Sequence, residues 1–569
     1  MRWKITEWVP GLQLLTRYER ANLPHDLTAG LVVVLVLIPS AIAYADLAKC
    51  PPVAGLYAAL AGMVVFALFT TSRHVITGPD AAVALLVGAA VGPLANGDAG
   101  QALALSTWLA LLAGLILWLA AYFRLGAAAD FLAQPVMLGF LNGAAVVIIG
   151  SQIGKLCGIK LHEENTLLRF WEWLTRLSET HGLTLVLGLG CIALLVFFRR
   201  KVPKVPGTVV VFVLALLAGQ LIDFTGLQVS VIGAVDTRIP DPVPPALSLQ
   251  EMGRLIMGAV GLAMLIFPQG ILLGRAMAGK HHYSLNTDQE LVALGAANIA
   301  AGLFRSFAVG ASQSRTLLND ATGGRTPLVG LIAGVLLVIF MYFLATWIAA
   351  LPNVAIAAIL TFTGLTLIDV AGVRNLRSLR RFDAQVSLIT SLGVVVFGVL
   401  PGIILGVFLS LLKVLSQVAR PQDALLGRVP GSRTLHDVGD DETAQTVPGL
   451  VVYRFYGPLV FANVRFFTER LEQFITREQV PVRQVILDAR AIPEMDVTAA
   501  EELKSYIGGL QRRDIRFAVA KAHLPLRQAA MGLGLEEWFS DTSHVVHIGD
   551  AVARFEHPAA SETTPAPTS

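Results

Sequence analysis

The chain has 569 residues, of which 55% are hydrophobic and only 15% are charged. A soluble protein of this size cannot bury so much apolar surface, so lipid must surround most of the chain and a soluble enzyme is excluded. The formal net charge of +3 is small, and the lysines and arginines lie between apolar runs instead of forming one basic face. This distribution excludes nucleic acid as a partner.

The N-terminal residues 1–26 mix tryptophans with basic side chains and lack the short apolar core and cleavage site of a signal peptide. We expect them to form an interfacial segment on the cytoplasmic surface, followed by a retained membrane segment. The cysteines show neither metal-ligand spacing nor a paired pattern, so we expect no disulfide, metal or cofactor. They are Cys50, Cys157 and Cys191.

The membrane domain is expected to span residues 27–420. A spanning helix needs about 20 apolar residues, and by this rule we count about fourteen segments. Their spans are 27–47, 52–70, 79–93, 103–122, 128–150, 182–198, 207–224, 255–278, 288–303, 312–321, 327–349, 353–370, 384–399 and 401–418. The third and the tenth are too short to span and hold matching positions in the two halves of the chain. Paired short segments of this kind indicate a transporter with inverted repeats and a midplane binding site.

Basic residues indicate the orientation, because positive charge accumulates in short cytoplasmic loops. With the N-terminus inside, the loops expected to be cytoplasmic carry the clustered cations. These are Arg73, Arg124, Arg199, Arg200, Lys201, Lys204, Arg275, Lys280, Arg325, Arg374, Arg377, Arg380 and Arg381. An even number of segments returns the C-terminus to the same side. We therefore expect a multi-pass protein of the inner (plasma) membrane with both termini in the cytoplasm.

After residue 420 the composition changes to charged, proline-containing sequence. We interpret 421–446 as a linker, 447–556 as a small cytoplasmic α/β domain, and the Pro-, Thr-, Ser- and Ala-rich tail 557–569 as disordered. Strand and helix patterns alternate in this domain, at 451–455, 466–479, 485–487, 498–510, 516–519 and 524–531. The alternation predicts a mixed sheet with helices on one face.

Glycine and proline breaks with polar residues interrupt the apolar segments. In the first segment, Ser40 follows a proline, and the third opens with Gly78-Pro79-Asp80-Ala81. The tenth opens with Gly310-Ala311-Ser312-Gln313-Ser314-Arg315. Such a break lets a half-helix begin inside the protein, where its free amide groups attract anions.

Five blocks, in order along nearly the whole chain, resemble the sulfate permease (SulP) family of anion transporters. They are Ile38 to Tyr57, Thr71 to Pro79, Gln134 to Gln152, Gln289 to Asn298 and Ser312 to Thr316. In the C-terminal domain, Val485 to Asp488 and Asp496 to Ala499 resemble a STAS domain (sulfate transporter and anti-sigma-factor antagonist). The resemblance implies about fourteen membrane helices in a 7+7 inverted repeat, a core domain that moves against a gate domain, and a homodimer.

The resemblance also implies an anion site between the third and tenth segments. Its residues are Ala311, Ser312, Gln313, Ser314, Arg315, Asp80, Ala81, Ser40 and Gln269. Ser312 is expected to offer its hydroxyl and its backbone amide, and Arg315 its positive charge. The chain departs from the family at three of these positions: Ser40 replaces a frequent Gln, Gln269 replaces a frequent acid, and Gln313 replaces a frequent aromatic residue.

The predicted function is secondary-active transport of a small inorganic anion by alternating access, with sulfate as the default and bicarbonate or a small dicarboxylate as competitors. Burial in a medium of low dielectric favours the neutral form of a carboxyl group, so Asp80 is predicted to carry a proton together with the anion. With no acid at position 269, we favour proton over sodium symport.

Other interpretations of these residues stay open. Ser312 and Ser314 can bond carbonyls of their own helix, Arg315 can snorkel to the cytoplasmic surface, and Asp80 can cap its half-helix. The chain can also be a membrane-anchored STAS sensor or scaffold, or an anion channel of the same fold. Costly intramembrane charge argues against a mere anchor.

Two further patterns carry expectations. His281 and His282 lie in a basic loop, which is typical of a solvated surface and not of a metal site. In the STAS-like domain, Val497 stands where sporulation antagonists have a phosphorylated serine, so we expect a regulatory or assembly role without that modification, and Thr498 is an acceptor only by a shift of register.

Overall fold

The computed structural model describes residues 9–11, 13, 18–95, 97–126, 134–163, 165–203, 205–233, 249–429, 434–539 and 548–556. The chain divides into two compact units, Met1–Ser410 and Leu411–Ser569. Half of the expected interfacial segment 1–26, the whole tail 557–569 and the loop residue Lys204 lie outside the described residues.

A helix corresponds to every one of the predicted apolar segments. In chain order the helices are α1 Leu23–Leu47, α2 Pro52–Phe69, α3 Ala81–Ala95, α4 Ala99–Tyr122, α5 Gln134–Cys157, α6 Thr166–Thr175, α7 Gly182–Lys201, α8 Gly207–Leu221, α9 Leu249–Lys280, α10 Thr287–Leu303, α11 Gln313–Ala321, α12 Leu328–Ile348, α13 Asn353–Leu367, α14 Val370–Leu379, α15 Arg381–Phe397 and α16 Val399–Ala419. Only α6 and α14 of these have no counterpart among the predicted segments.

The lengths of these helices agree with a polytopic integral membrane protein. Within the described part of the chain, eight helices are long and apolar enough to cross a membrane, judged by length and composition, and three shorter ones are also apolar. The two segments predicted to be half-helices are short, with 15 residues in α3 and 9 in α11.

The membrane helices pack in two groups. Helices α1–α4 pack mainly with α9–α12, which we call the core group, whereas α5, α7, α8, α13 and α15 form a second group. Small residues allow the closest crossings, as expected where lipid replaces water. A Cβ atom at Gly295 of α10 would lie 2.3 Å from Cδ1 of Trp118 and 2.9 Å from the carbonyl oxygen of Gly114 in α4.

Both half-helices belong to the core group, and a short antiparallel ribbon joins the segments that lead into them. Strand β1 (Thr77–Gly78) pairs with β2 (Gly310–Ala311), with Thr77 opposite Ala311 and Gly78 opposite Gly310. Gly78 has φ = +143°, a conformation that L side chains rarely adopt, so the glycine is required for this turn into α3.

The C-terminal unit contains a five-stranded sheet in the order β4-β3-β5-β6-β7. Its strands are β3 Gln422–Arg428, β4 Leu435–Asp437, β5 Leu450–Tyr456, β6 Gln484–Asp488 and β7 Arg516–Ala520. Its helices are α17 Val464–Arg477, α18 Val497–Gln511, α19 Leu524–Gly532, α20 Glu536–Phe539 and α21 Ile548–Glu556. The three central strands β5, β6 and β7 are parallel, and β3 pairs antiparallel with β5.

Two expectations for this unit need correction. The expected linker 421–446 contributes β3 and β4 to the sheet, because Ala424 and Leu426 of β3 are buried against Leu450 and Val452 of β5. The helices also cover both faces of the sheet: α17 and α18 pack on one face, and α21 packs on the other. Because both faces of the sheet are covered, β5 has an apolar residue at nearly every position and does not alternate between apolar and polar residues.

Candidate anion-binding site

The β1–β2 ribbon brings the first turns of α3 and α11 together from opposite halves of the chain. Backbone bonds extend the ribbon: the amide of Ser312 donates to the carbonyl of Ile76 at 2.9 Å. The amide of Ile76 in turn donates to Oγ1 of Thr316 at 3.0 Å. The Ser312 amide is thus occupied and is not available to a ligand, contrary to expectation. The amides of Gln313 and Ser314 lie in the first turn of α11, where a helix leaves its N–H groups without internal partners.

Arg315 is the most unusual side chain of this region, because a guanidinium group is only 1% exposed. Nη2 donates to the carbonyl of Pro79 at 2.6 Å, which ties α11 to the segment that opens α3. Nε has no hydrogen-bond partner among the described residues. Burial at the ribbon does not fit a snorkelling arginine. An unpaired buried donor is rare in proteins and points to a missing acceptor.

The two serines flank the exposed Gln313 at the start of α11. Ser312 is 2% exposed and caps α11, its Oγ lying 3.5 Å from the amide of Arg315. That Oγ also lies 3.3 Å from Oγ of Ser314, which is exposed. The two hydroxyls are therefore adjacent, and neither donates to a helix carbonyl in the described hydrogen bonds. Ala311, directly before them, is fully buried.

Asp80 stands at the start of α3, opposite Arg315. Its Oδ2 accepts a hydrogen bond from the amide of Ala82 at 3.2 Å, and the side chain of Gln269 also interacts with its carboxyl group. Nε2 of Gln269 donates to the carbonyl of Ala311 at 3.1 Å, which connects α9 to β2. Ala81, the next residue, is 4% exposed.

Ser40 is a predicted site residue, but its hydroxyl forms hydrogen bonds within its own helix. Its Oγ donates to the carbonyls of Val36 and Leu37 within α1, both at 2.9 Å. Tyr44, one turn further along α1, is 8% exposed and close enough to Asp80 and Arg315 to interact electrostatically with both. Tyr44 also hydrogen-bonds to Thr363 of α13, so α1 places this tyrosine, and not the Ser40 hydroxyl, near Asp80 and Arg315.

Asn298 of α10 supports the ribbon, a role that the sequence analysis does not predict. Its side-chain amide brackets one residue: Oδ1 accepts from the amide of Val309 at 2.9 Å, and Nδ2 donates to the Val309 carbonyl at 3.0 Å. Val309 directly precedes β2. Asn298 is fully buried, so its side chain replaces a strand partner for this segment.

Glu290, in the first turn of α10, hydrogen-bonds to the segment that precedes β1. Its carboxylate, 2% exposed, accepts hydrogen bonds from the hydroxyl groups of Thr70 and Thr71 and from the amides of Thr71 and Ser72, at distances between 2.7 and 3.1 Å. Both Glu290 and Asn298 lie in the Gln289 to Asn298 block. A buried acid and a buried amide in one apolar helix were the signal that could have found them.

A cavity of about 680 Å³ lies between the core group and the second group, at the C-terminal end of α1. Leu85 and Gly88 of α3 line it, and basic side chains dominate its charged lining. These are Lys49, Lys155, Lys160, His162 and Arg169, against one carboxylate, Asp46. Lys155 of α5 forms an ion pair with Asp46 of α1, so the two groups are linked across the cavity.

Two family models match the chain: the sulfate permease family over residues 23–390 and the STAS domain over 443–552. The chain belongs to the sulfate permease family. Curated relatives of this permease include the probable sulfate transporter Rv1739c of Mycobacterium tuberculosis, 36% identical over 96% of this chain and 98% of the relative. The chloroplastic sulfate transporter 4.1 of Arabidopsis thaliana is 29% identical over 97% of this chain and 83% of its own length.

Solved structures show the same fold. The murine anion transporter Slc26a9, in the inward-facing state, superposes with a TM-score of 0.89 at 21% identity, covering 97% of the permease and 94% of that chain. The transmembrane domain of the cyanobacterial bicarbonate transporter BicA gives a TM-score of 0.60 at 22% identity, covering 69% and 98% respectively. The predicted polytopic fold and the C-terminal STAS domain are thereby confirmed.

Proposed function

We propose that this permease is a secondary-active transporter of small inorganic anions, with sulfate as its default substrate. The observation that carries the proposal is the buried guanidinium of Arg315 at the meeting point of two half-helix N-termini, with Nε free of any partner in the described structure. A buried cation is expensive unless an anion and hydrogen bonds compensate it. An oxyanion between α3 and α11 would supply both.

The surroundings favour a small and strongly charged substrate. The hydroxyls of Ser312 and Ser314 and the first-turn amides of α11 are hydrogen-bond donors within reach of one oxyanion. The basic cavity beside α3 offers a route by which anions can approach the site. Its positively charged side chains raise the local concentration of anions. The names of the curated relatives support sulfate over bicarbonate or a dicarboxylate.

The coupling ion is proposed to be a proton, carried by Asp80. Among the described residues, the guanidinium of Arg315 donates to the Pro79 carbonyl and not to this carboxyl group, so no direct ion pair holds Asp80 ionised. We also propose a homodimer in the plasma membrane, and the basic loops support cytoplasmic termini.

Replacement of both Ser312 and Ser314 by alanine tests the site. We expect the apparent KM for sulfate to rise by about tenfold, because losing two buried-site hydrogen bonds costs about 1 to 2 kcal/mol. The measurement is uptake of labelled sulfate, bicarbonate and fumarate into proteoliposomes, each with and without a proton or sodium gradient. Thr322→Ala is the control, since its hydroxyl bonds only carbonyls at the end of α11.

The possible results separate the alternatives. Sulfate uptake driven by a pH gradient, with a raised KM in the double variant and a normal one in the control, supports the proposal. Unchanged kinetics in the double variant refute the site assignment. Flux that only follows the anion's own gradient indicates a channel, and no flux of any of these anions indicates a STAS sensor or scaffold.

A further inference from the structure

A cluster of three metal-ligating side chains lies at the other end of the core group, away from the basic cavity. His74 lies in the loop that leads from α2 to β1, His281 directly follows α9, and Asp320 lies in the last turn of α11. One ligand atom from each comes within 4.8 Å of the others. The three residues belong to separate elements, so only the fold brings them together.

The environment of His74 points to a ligand. Its side chain is 5% exposed, and Nδ1 has no hydrogen-bond partner among the described residues. A buried ring nitrogen without a partner is an unusual cost for a folded protein. The backbone at His74 is fixed, because its carbonyl accepts a hydrogen bond from Nδ2 of Asn319 at 2.8 Å.

The other two side chains are already in contact with each other. Nε2 of His281 lies 2.7 Å from Oδ1 of Asp320, and Lys280 pairs with the second carboxylate oxygen. The Asp320 side chain is 8% exposed, and that of His281 is 34% exposed. Water and ions can thus reach the cluster past His281, while Asp320 and His74 form its inner wall.

We propose that His74, His281 and Asp320 bind a divalent transition-metal ion of the Zn²⁺ class. Two imidazole nitrogens and one carboxylate oxygen form a donor set that suits Zn²⁺, whereas Mg²⁺ and Ca²⁺ prefer oxygen ligands alone. With tetrahedral zinc–nitrogen and zinc–oxygen bonds of about 2.0 to 2.2 Å, ligand atoms lie roughly 3.3 to 3.6 Å apart, so ligand atoms now up to 4.8 Å apart have to approach each other by up to about 1.5 Å.

One rearrangement is required for binding. The rings of His74 and His281 are stacked, with centroids 4.1 Å apart and 15° between their planes. The lone pair of a ring nitrogen lies in the plane of its ring, so two stacked imidazoles cannot direct their lone pairs at one ion. His281 therefore has to rotate out of the stack to bind an ion together with His74. The turn after α9 and the partial exposure of His281 allow this rotation, and Lys280 keeps Asp320 oriented from outside.

Zinc titration of the full-length, tag-free permease in detergent tests the site. We expect one Zn²⁺ per chain by competition with a chromophoric chelator, together with a rise in thermal unfolding temperature, since the ion binds only the folded cluster. His281→Ala is expected to weaken binding at least tenfold, as is Asp320→Asn. X-ray absorption at the zinc edge should show imidazole scattering.

The chain offers a matched control in His282, which neighbours His281 in the same exposed turn but is not part of the cluster. His282→Ala should bind Zn²⁺ as the unmodified chain does. His281 is partly exposed, so its replacement leaves folding intact even where His74→Ala does not. Equal affinity in the His281 and His282 variants, or absence of a stoichiometric ion in the unmodified chain, overturns the proposal.

Discussion

Arg315 shows how one residue can define a binding site. A guanidinium carries five N–H donors, and the described contacts account for one of them through the Pro79 carbonyl. The remaining donors are buried in a segment surrounded by apolar helices. Folding in this state is favourable only if a ligand or water occupies the other donors for much of the time. The same physics that makes the arginine costly in lipid therefore makes it useful for anions.

Asp80 has two possible roles, as a proton carrier and as the cap of α3. The bond from the Ala82 amide, at 3.2 Å, is at the long end of the range for N–H···O bonds, and the Val83 amide and the Gln269 side chain are the other hydrogen-bond partners of this carboxyl group. We expect Asp80→Asn to keep this contact through its amide oxygen, and therefore to fold and bind sulfate. It should lose the stimulation of uptake by an imposed pH gradient, because the group that takes up the proton is gone.

The measurement for Asp80→Asn is sulfate uptake into proteoliposomes at several imposed pH differences. Glu290→Gln serves as a comparison, since Glu290 is a buried acid that binds Thr70 and Thr71 away from the predicted site. A full response of the Asp80→Asn variant to the pH gradient assigns Asp80 to capping alone. The proton then has to be carried by another group.

At the scale of elements, the sequence predicted which segments exist but not how they are held. Apolar run lengths located the helices, and the Gly-Pro and glycine breaks located both half-helices, because these signals are local. A buried acid and a buried amide in one apolar helix mark Glu290 and Asn298 as unusual, but their partners do not follow from that signal: Glu290 bonds Thr71, more than 200 residues away, and Asn298 bonds Val309 only because the chain turns back after α10. For the same reason, Ser312 could not be known to donate its amide to Ile76.

The STAS domain shows the same limit. The parallel strands β5 to β7 were evident from their apolar runs. Strands β3 and β4 were not, because the charged and proline-containing sequence around them is typical of a linker. Burial of Ala424 and Leu426 against β5 decides their structure instead, which is a tertiary effect that local propensity does not report.

The Asp46–Lys155 ion pair links the core group to the second group at the mouth of the basic cavity. In the proposed alternating access, the groups must separate here to open the cavity. Both side chains are partly exposed, so the pair contributes at most about 1 kcal/mol. We expect Lys155→Gln to lower stability by no more than about this amount and to shift the population towards the open form by up to about fivefold.

Thiol labelling measures this shift. A cysteine at Ser151, which lines the cavity on α5, reports the opening through its reaction rate with a membrane-impermeant reagent. Lys160→Gln is the control. Lys160 lines the same cavity, and its replacement removes the same charge without breaking the Asp46–Lys155 ion pair. If both lysine variants label at the same rate, the ion pair does not restrain opening.

At the scale of the whole molecule, the permease consists of two units with separate hydrophobic cores. Among the residues that the structure describes, the core of the membrane unit and that of the STAS domain share no buried residue. Separate cores predict that the two units unfold independently. We propose a regulatory or assembly role for the STAS domain, which leaves substrate binding to the membrane unit.

Phe467→Ala tests this independence. Phe467 is fully buried, with its ring centroid 5.2 Å from that of Tyr453 and 5.3 Å from that of Phe455. Truncation of such a ring costs about 3 to 5 kcal/mol, which is a large part of the stability of a small domain. We expect the STAS transition to move to a lower temperature in a calorimetric scan of the full chain, while the membrane transition and the KM for sulfate stay unchanged.

Phe461→Ala provides the comparison, because Phe461 is 72% exposed and its truncation creates no cavity. This variant should unfold as the unmodified chain does. The amount of dimer, measured by cross-linking in the membrane, then separates the two roles: a loss of dimer in Phe467→Ala alone indicates assembly, and a changed maximal rate with dimer intact indicates regulation. A raised KM for sulfate in Phe467→Ala contradicts the independence of the units, because a cavity in the STAS core would then alter the substrate site.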